Sequence, residues 1–108
     1  MLMTSPIRLL LVDDDDVDRA AVCRSLQKSG LTYELVEAHD FSSALDALTR
    51  NNFECVLLDF HLPGKSGMEV FHAIPSVQPE ATPAVIFLTG EKIKSWRWKL
   101  WRPVPLII

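Results

Sequence analysis

No apolar run in the 108 residues approaches the roughly 18 needed to span a bilayer. Met1 to Pro6 has neither a basic start nor a long apolar stretch, so nothing there reads as a secretory signal. Cysteine is scarce. Cys23 and Cys55 form no CxxC pair and sit in apolar surroundings, which predicts buried, reduced thiols in a cytoplasmic protein. There is no internal repeat and no low-complexity linker, and the length suits one domain with a single core. The last 17 residues contain no acid. They carry 5 Lys+Arg and all three tryptophans, whereas residues 1–91 carry 6 Lys+Arg against 14 Asp+Glu. An acidic body of that kind argues against nucleic-acid binding by the domain.

What is present is a regular alternation. Ile7–Val12 is a short apolar run stopped by acids and predicts a buried strand. Asp15 or Asp16 can cap a helix running to about Ser29, closed by Gly30, with Val22 and Leu26 on its inner face. Tyr33–Glu37 predicts a second strand, and Phe41, Ala44, Leu45 and Leu48 space a helix over residues 41–50. Cys55–Leu58 predicts a third buried strand ending at Asp59. Residues 62–67 (LPGKSG) are turn chemistry. A short helix from Met68 is expected to end at Pro75, with Met68 and Phe71 on its packed face, and Ala84–Leu88 predicts a fourth strand ending at Thr89-Gly90. The β-α-β-α-β-α-β order implies an α/β fold, a doubly wound parallel sheet with helices on both faces.

Ligands of such sheets bind beyond the carboxyl ends of the strands. Three of those ends carry Asp13-Asp14, Asp59 and Thr89. Three carboxylates brought together repel one another unless they are partly protonated or hold a cation, and an all-oxygen set suits Mg²⁺. A carboxylate can also act as a nucleophile and form an aspartyl-phosphate. Asp15, Asp16 and Asp18 read as a helix cap and a solvated first turn. His39 and His72 lack a metal-spaced partner, and Lys65 reads as a solvated turn charge.

The stretches LLLVDDDD (9–16), CVLLDFHLPGKSG (55–67) and IFLTG (86–90) resemble the receiver domain of two-component response regulators. The second is the most specific, combining the strand-end Asp59, Leu62-Pro63 and Gly67. The resemblance implies a flavodoxin-like sheet and a phosphoacceptor at Asp59. It implies a Mg²⁺ site from Asp13, Asp14, Asp59 and the backbone carbonyl of His61, with Asp14 favoured over Asp13 as the direct ligand of the acidic pair. It implies a switch hydroxyl at Thr89 and a turn at Pro63 and Gly67. The implied partner is a sensor histidine kinase or phosphotransfer protein. No membrane and no nucleic acid is implied for the domain. Two other readings compete: a pseudo-receiver acting by protein binding alone, and a haloacid-dehalogenase-like phosphatase. The latter matches Asp13-x-Asp15-x-Val17 and IFLTG but leaves Asp59 and the LPGKSG turn unexplained.

The resemblance stops near residue 91. Receivers continue with a helix, a fifth strand ending in lysine and a last helix, whereas this chain reads EKIKSWRWKLWRPVPLII. Reading from the third base of each codon, with AGY for Ser95, Ser95-Trp96 gives Leu and Trp98-Lys99 gives Glu. The remaining codons permit E-N-Q-E-L-A-V-E-A-M-A-A-G-A-A-D-Y, an alanine-rich helix of receiver character. Residues 1–91 therefore read as an incomplete receiver, truncated after the fourth strand, and residues 92–108 as a tail put out of frame by a one-base deletion near codons 90–92. A membrane-surface segment is the rival account, and Pro103 and Pro105 interrupt it. With the frame as given, an exposed edge at the fourth strand, self-association and weak phosphorylation are expected.

Overall fold

A computed structural model describes residues 6–80, 82–88 and 98–101. Four strands, β1 (Ile7–Val12), β2 (Tyr33–Ala38), β3 (Cys55–Asp59) and β4 (Ala84–Leu88), alternate with three helices, α1 (Asp16–Ser29), α2 (Phe41–Arg50) and α3 (Gly67–Val77). The strands are parallel in the order β2-β1-β3-β4. This is the α/β sheet that the sequence predicts.

Local chemistry sets the helix ends. The Asp15 carboxylate accepts from the backbone N–H of Val17 and Asp18, and Gly30 closes α1 at φ 82°, a left-handed conformation that glycine adopts without strain. The Asp40 carboxylate accepts from the Ser43 N–H while the Ser43 hydroxyl accepts from the Asp40 N–H. Helix α3 differs from expectation. It runs through Pro75 to Val77, because proline's fixed φ is helical and the Gln78 N–H still closes the last turn on the Ile74 carbonyl at 2.8 Å.

Strand alternation splits the apolar residues between the two faces of the sheet. Leu10, Val12, Val56, Leu58, Val85 and Phe87 pack under α2 and α3 with Ala44, Leu48, Val70 and Ile74. Leu11, Leu57 and Leu88 face α1 through Val22, with Leu26 and Cys23 packed alongside. Beside α1 lies an apolar groove of about 450 Å³, lined by Leu9, Leu26, Leu31, Cys55, Leu57 and Ile86 among others. Gln78 is a buried amide on the α2–α3 face. Its Nε2 donates to the carbonyls of Leu48 (2.8 Å) and Asn51, tying the ends of those helices together.

Two expectations are corrected. A fifth strand, β5 (Trp98–Trp101), pairs antiparallel with β4, Val85 opposite Trp101 and Leu88 opposite Trp98. The β4 edge expected to be exposed is therefore occupied, and the sheet does not stop at four strands. Only nine residues separate β4 from β5, too few for a parallel crossover but enough for an antiparallel return. The cysteines are half-buried rather than buried, and they are not joined in a disulfide. Cys23 Sγ lies 3.9 Å from Glu37 Oε2, and burial together with that carboxylate pushes its thiol pKa up.

Leu10 is fully buried in the sheet, whereas Val17 is 72% exposed at the start of α1. Leu10→Ala is expected to lower unfolding free energy by about 2–5 kcal/mol in urea titrations. Val17→Ala is expected to change it by no more than about 0.5 kcal/mol.

Candidate functional site

Strands β1 and β3 are neighbours, in a register that places Val12 beside Leu58. The next residues along each strand, Asp13-Asp14 and Asp59, therefore meet at one end of the sheet. This is also where strand order reverses, with β2 lying on one side of β1 and β3 on the other. Carboxylate oxygens of Asp13, Asp14 and Asp59 lie within 4.8 Å of one another. Asp13 is buried, Asp59 half-buried and Asp14 exposed, so the cluster forms a cup with one open side.

Backbone contacts hold two of the carboxylates. The Asp13 N–H extends the ladder to the Ala38 carbonyl at 3.0 Å, and Asp13 Oδ1 accepts from the Asp15 N–H at 2.9 Å. Asp59 Oδ1 accepts from the His61 N–H at 3.1 Å. The loop after Asp59 folds back on itself. His61 pairs with Ser66, and the Gly67 N–H donates to the Phe60 carbonyl at 2.8 Å. Pro63 followed by Gly64 at φ 77° is the residue pattern of a type II turn. A Cβ on Gly67 would stand 2.3 Å from the Asp59 carbonyl oxygen, so only glycine permits this approach.

Burial is the largest influence on Asp13 and raises its pKa to about 7. The Asp15 N–H opposes that rise, while the charges of Asp59, Asp18 and Asp14 add to it. Burial likewise raises the Asp59 pKa, and the charges of Asp14 and Asp18 raise it further against the lowering effect of the His61 N–H. Three oxygen donors with one open side suit a small, hard cation that keeps several waters, and Mg²⁺ fits this set better than a metal that prefers nitrogen or sulfur.

The structure thus brings Asp13, Asp14 and Asp59 together. It sets Gly67 against the Asp59 backbone, and puts the His61 side chain and Pro63 at the surface. Thr89 lies outside the described residues. Lys65 is not simply solvated. Its Nζ lies 3.7 Å from Glu69 and 4.7 Å from the centroid of the Phe41 ring. Sequence reasoning missed Arg19, whose guanidinium reaches the Asp13 carbonyl oxygen (2.6 Å), Glu37 (3.0 Å) and Asp16. An arginine one turn after an acidic helix start was the available signal, but Glu37 joins it only through the β1–β2 pairing.

Known proteins share this fold. The family model described as "Response regulator receiver domain" matches residues 9–100. The chain belongs to the response regulator receiver family. Response regulator MprA of Mycobacterium sp. (strain KMS) is 39% identical over 71 residues, covering 66% of this chain and 30% of that protein. Phosphate regulon transcriptional regulatory protein PhoB of Klebsiella pneumoniae is 33% identical over 83 residues, covering 77% and 35%. This receiver chain thus spans about a third of the length of those relatives. Among solved structures, a response regulator from Burkholderia pseudomallei with a phosphorylated aspartic acid, calcium ion and citrate superposes with a TM-score of 0.65. It is 29% identical, with 79% of this chain and 48% of that one covered. Chemotaxis response regulator CheY4 of Vibrio cholerae gives a TM-score of 0.67 at 26% identity, with 82% and 72% covered. Receivers are signalling modules with this same CheY-like, flavodoxin-like sheet.

The raised pKa of Asp13 fixes the sign of a pH effect. The native receiver binds the Asp13 proton more tightly than the unfolded chain does, so the contribution of Asp13 to stability is greatest below about pH 4, falls as pH rises towards about 7, and then levels. Thermal melts in a chelator are expected to show that decline. Asp13→Asn removes the Asp13 part of it and raises the melting temperature at about pH 7.5. Excess Mg²⁺ is expected to flatten the decline in the unsubstituted protein, since a cation taken up by the deprotonated cluster would stabilise the native state.

Proposed function

We propose that this chain is a phospho-accepting receiver in which Asp59 takes a phosphoryl group from a sensor histidine kinase or a phosphotransfer protein. The observation that carries the reading is the convergence of three carboxylates within 4.8 Å at the point where strand order reverses. Asp59 is the member suited to be the nucleophile. It ends β3, it is half-buried, and its Oδ1 is held by the His61 N–H, which leaves the other oxygen to act as the nucleophile. That oxygen attacks phosphorus in line. A carboxylate–phosphorus bond forms, and the phosphorus–nitrogen bond of the donor phosphohistidine breaks, leaving its electron pair on the imidazole.

Asp13 and Asp14 would hold Mg²⁺ together with Asp59 and the His61 backbone carbonyl, with Asp14 on the exposed side of the cluster. When bound, Mg²⁺ supplies positive charge to the phosphoryl oxygens. Pro63 and Gly67 keep the loop closed over the Asp59 backbone. Thr89, next after β4, supplies the switch hydroxyl. The reaction is self-directed, so the module turns over no substrate of its own. A phosphorylated aspartic acid in the Burkholderia pseudomallei relative supports this chemistry. The excess of acid over base in residues 1–91 supports a protein partner over nucleic acid. Among the described residues no helix is long and apolar enough to cross a membrane, and thiols outside any disulfide fit a cytoplasmic setting.

The proposal includes the boundary at residue 91, with residues 92–108 out of frame. The charge reversal and tryptophan clustering after residue 91 support it. A DNA read of the source gene from codon 85 onward is expected to show one additional base near codons 90–92. An unchanged frame overturns that part.

Incubation with acetyl phosphate and Mg²⁺ is expected to add one phosphoryl group by intact mass, removed by hydroxylamine. Asp59→Asn is expected to abolish the addition, and a chelator to suppress it. Labelling that survives Asp59→Asn overturns the assignment. Labelling absent from both the chain and its frame-restored form favours a role in protein binding alone.

A further inference from the structure

We infer that Arg19 is a positioning residue that sets the orientation of the Asp13–Asp14 peptide, and through it the metal affinity of the acidic cluster. The inference rests on the proposed Mg²⁺-binding role of that cluster. Arg19 lies one turn into α1, with its side chain 18% exposed, and all of its fork is engaged. Nη1 donates to the Asp13 carbonyl oxygen at 2.6 Å, Nε to Glu37 at 3.0 Å, and Nη2 to Asp16.

The Asp13 carbonyl belongs to the peptide that leads into Asp14. On its near side, Asp13 is fixed by its N–H to the Ala38 carbonyl. Arg19 fixes the far side. The two hydrogen bonds together leave that peptide little freedom to rotate, and Asp14, exposed and without a β-ladder to hold it, depends on this peptide for its aim into the cup. Glu37, near the end of β2, anchors the guanidinium to the sheet, so the aim is referred to the same strands that carry the cluster.

Arg19 also sorts the acids. Asp16 and Glu37 lie close to the cluster in sequence or in space, and the guanidinium engages both, leaving Asp13, Asp14 and Asp59 as the set within ligating distance of one another. Outer contacts of this kind orient metal ligands, and losing them costs about 10- to 100-fold in affinity.

Charge and position predict opposite outcomes. A cation beside a metal site repels the metal, so an effect of charge alone means that removing Arg19 tightens Mg²⁺ binding. Loss of positioning weakens it. Arg19→Lys keeps the charge and removes the planar fork, while Arg19→Gln removes both.

The test is an NMR titration of the 108-residue chain with MgCl₂, tracking the amides of Asp14, Asp59 and His61, together with acetyl phosphate labelling across the same Mg²⁺ range. Both variants are expected to shift the Mg²⁺ midpoint upward by about tenfold. The labelling rate at saturating Mg²⁺ is expected to stay within about twofold of the unsubstituted chain, because metal occupancy is then restored. An unchanged midpoint in Arg19→Lys with a tighter one in Arg19→Gln overturns the inference in favour of charge alone. A plateau rate that falls together with the melting temperature, at an unchanged midpoint, overturns it in favour of a merely structural role. Failure of the unsubstituted chain to respond to Mg²⁺ overturns the metal-site reading itself, and is told apart because it precedes any comparison of variants.

Discussion

Three carboxylates within 4.8 Å of one another constitute the constraint around which the rest of this domain is arranged. Left alone they repel, and one of them is buried, where a lone charge is least tolerated. The fold contains that repulsion in three ways. Burial raises the Asp13 pKa to about 7, so its carboxyl group carries only part of a charge near neutrality. Backbone N–H groups of Asp15 and His61 point at the carboxylates of Asp13 and Asp59. The Arg19 guanidinium engages the neighbouring acids Asp16 and Glu37. Each arrangement works only because two adjacent parallel strands end at matching heights, so sheet register is the origin of the chemistry rather than a backdrop to it.

The close approach of Gly67 to the Asp59 backbone belongs to the same constraint. A half-buried nucleophile must be both accessible and immobile. The β3–α3 loop meets this need by folding over the main chain of Asp59 rather than over its carboxylate. The aromatic rings of Phe60 and Phe71 pack against Phe87 of β4 and brace the loop from the α2–α3 side. The loop and β4, whose Leu88 lies opposite Asp59, are thereby the immediate neighbours of that residue.

The range of each interaction decides how much of this was legible in the sequence. The apolar runs of β1, β3 and β4 and the spacing of α2 are local patterns, and the structure keeps them. Asp13, Asp14 and Asp59 were legible as a cluster because parallel alternation dictates where strand ends meet. Pro75 reads as a stop in the sequence, yet the fate of a proline near a helix end is decided by the residues beyond it, here through the bond from the Gln78 N–H to the Ile74 carbonyl. The strand at Trp98–Trp101 was not legible because pairing depends on a free edge, which is a property of the sheet and not of the segment. Arg19 and Gln78 were invisible for a similar reason. Their partners Glu37, Leu48 and Asn51 become neighbours only after the sheet and helices have assembled.

The groove of about 450 Å³ beside α1 makes the two faces of the sheet mechanically unequal. On one face α2 and α3 brace each other as well as the strands, and Gln78 stitches their ends. On the other, among the described residues, α1 packs as a single helix through Val22, Cys23 and Leu26. Local opening is favoured where lateral support is weakest, and among the described residues that element is α1. That helix carries both the Asp15 cap and the Arg19 fork. The contacts that order the Asp13–Asp14 side of the acidic cup are therefore tied to the docking of a single helix on the sheet.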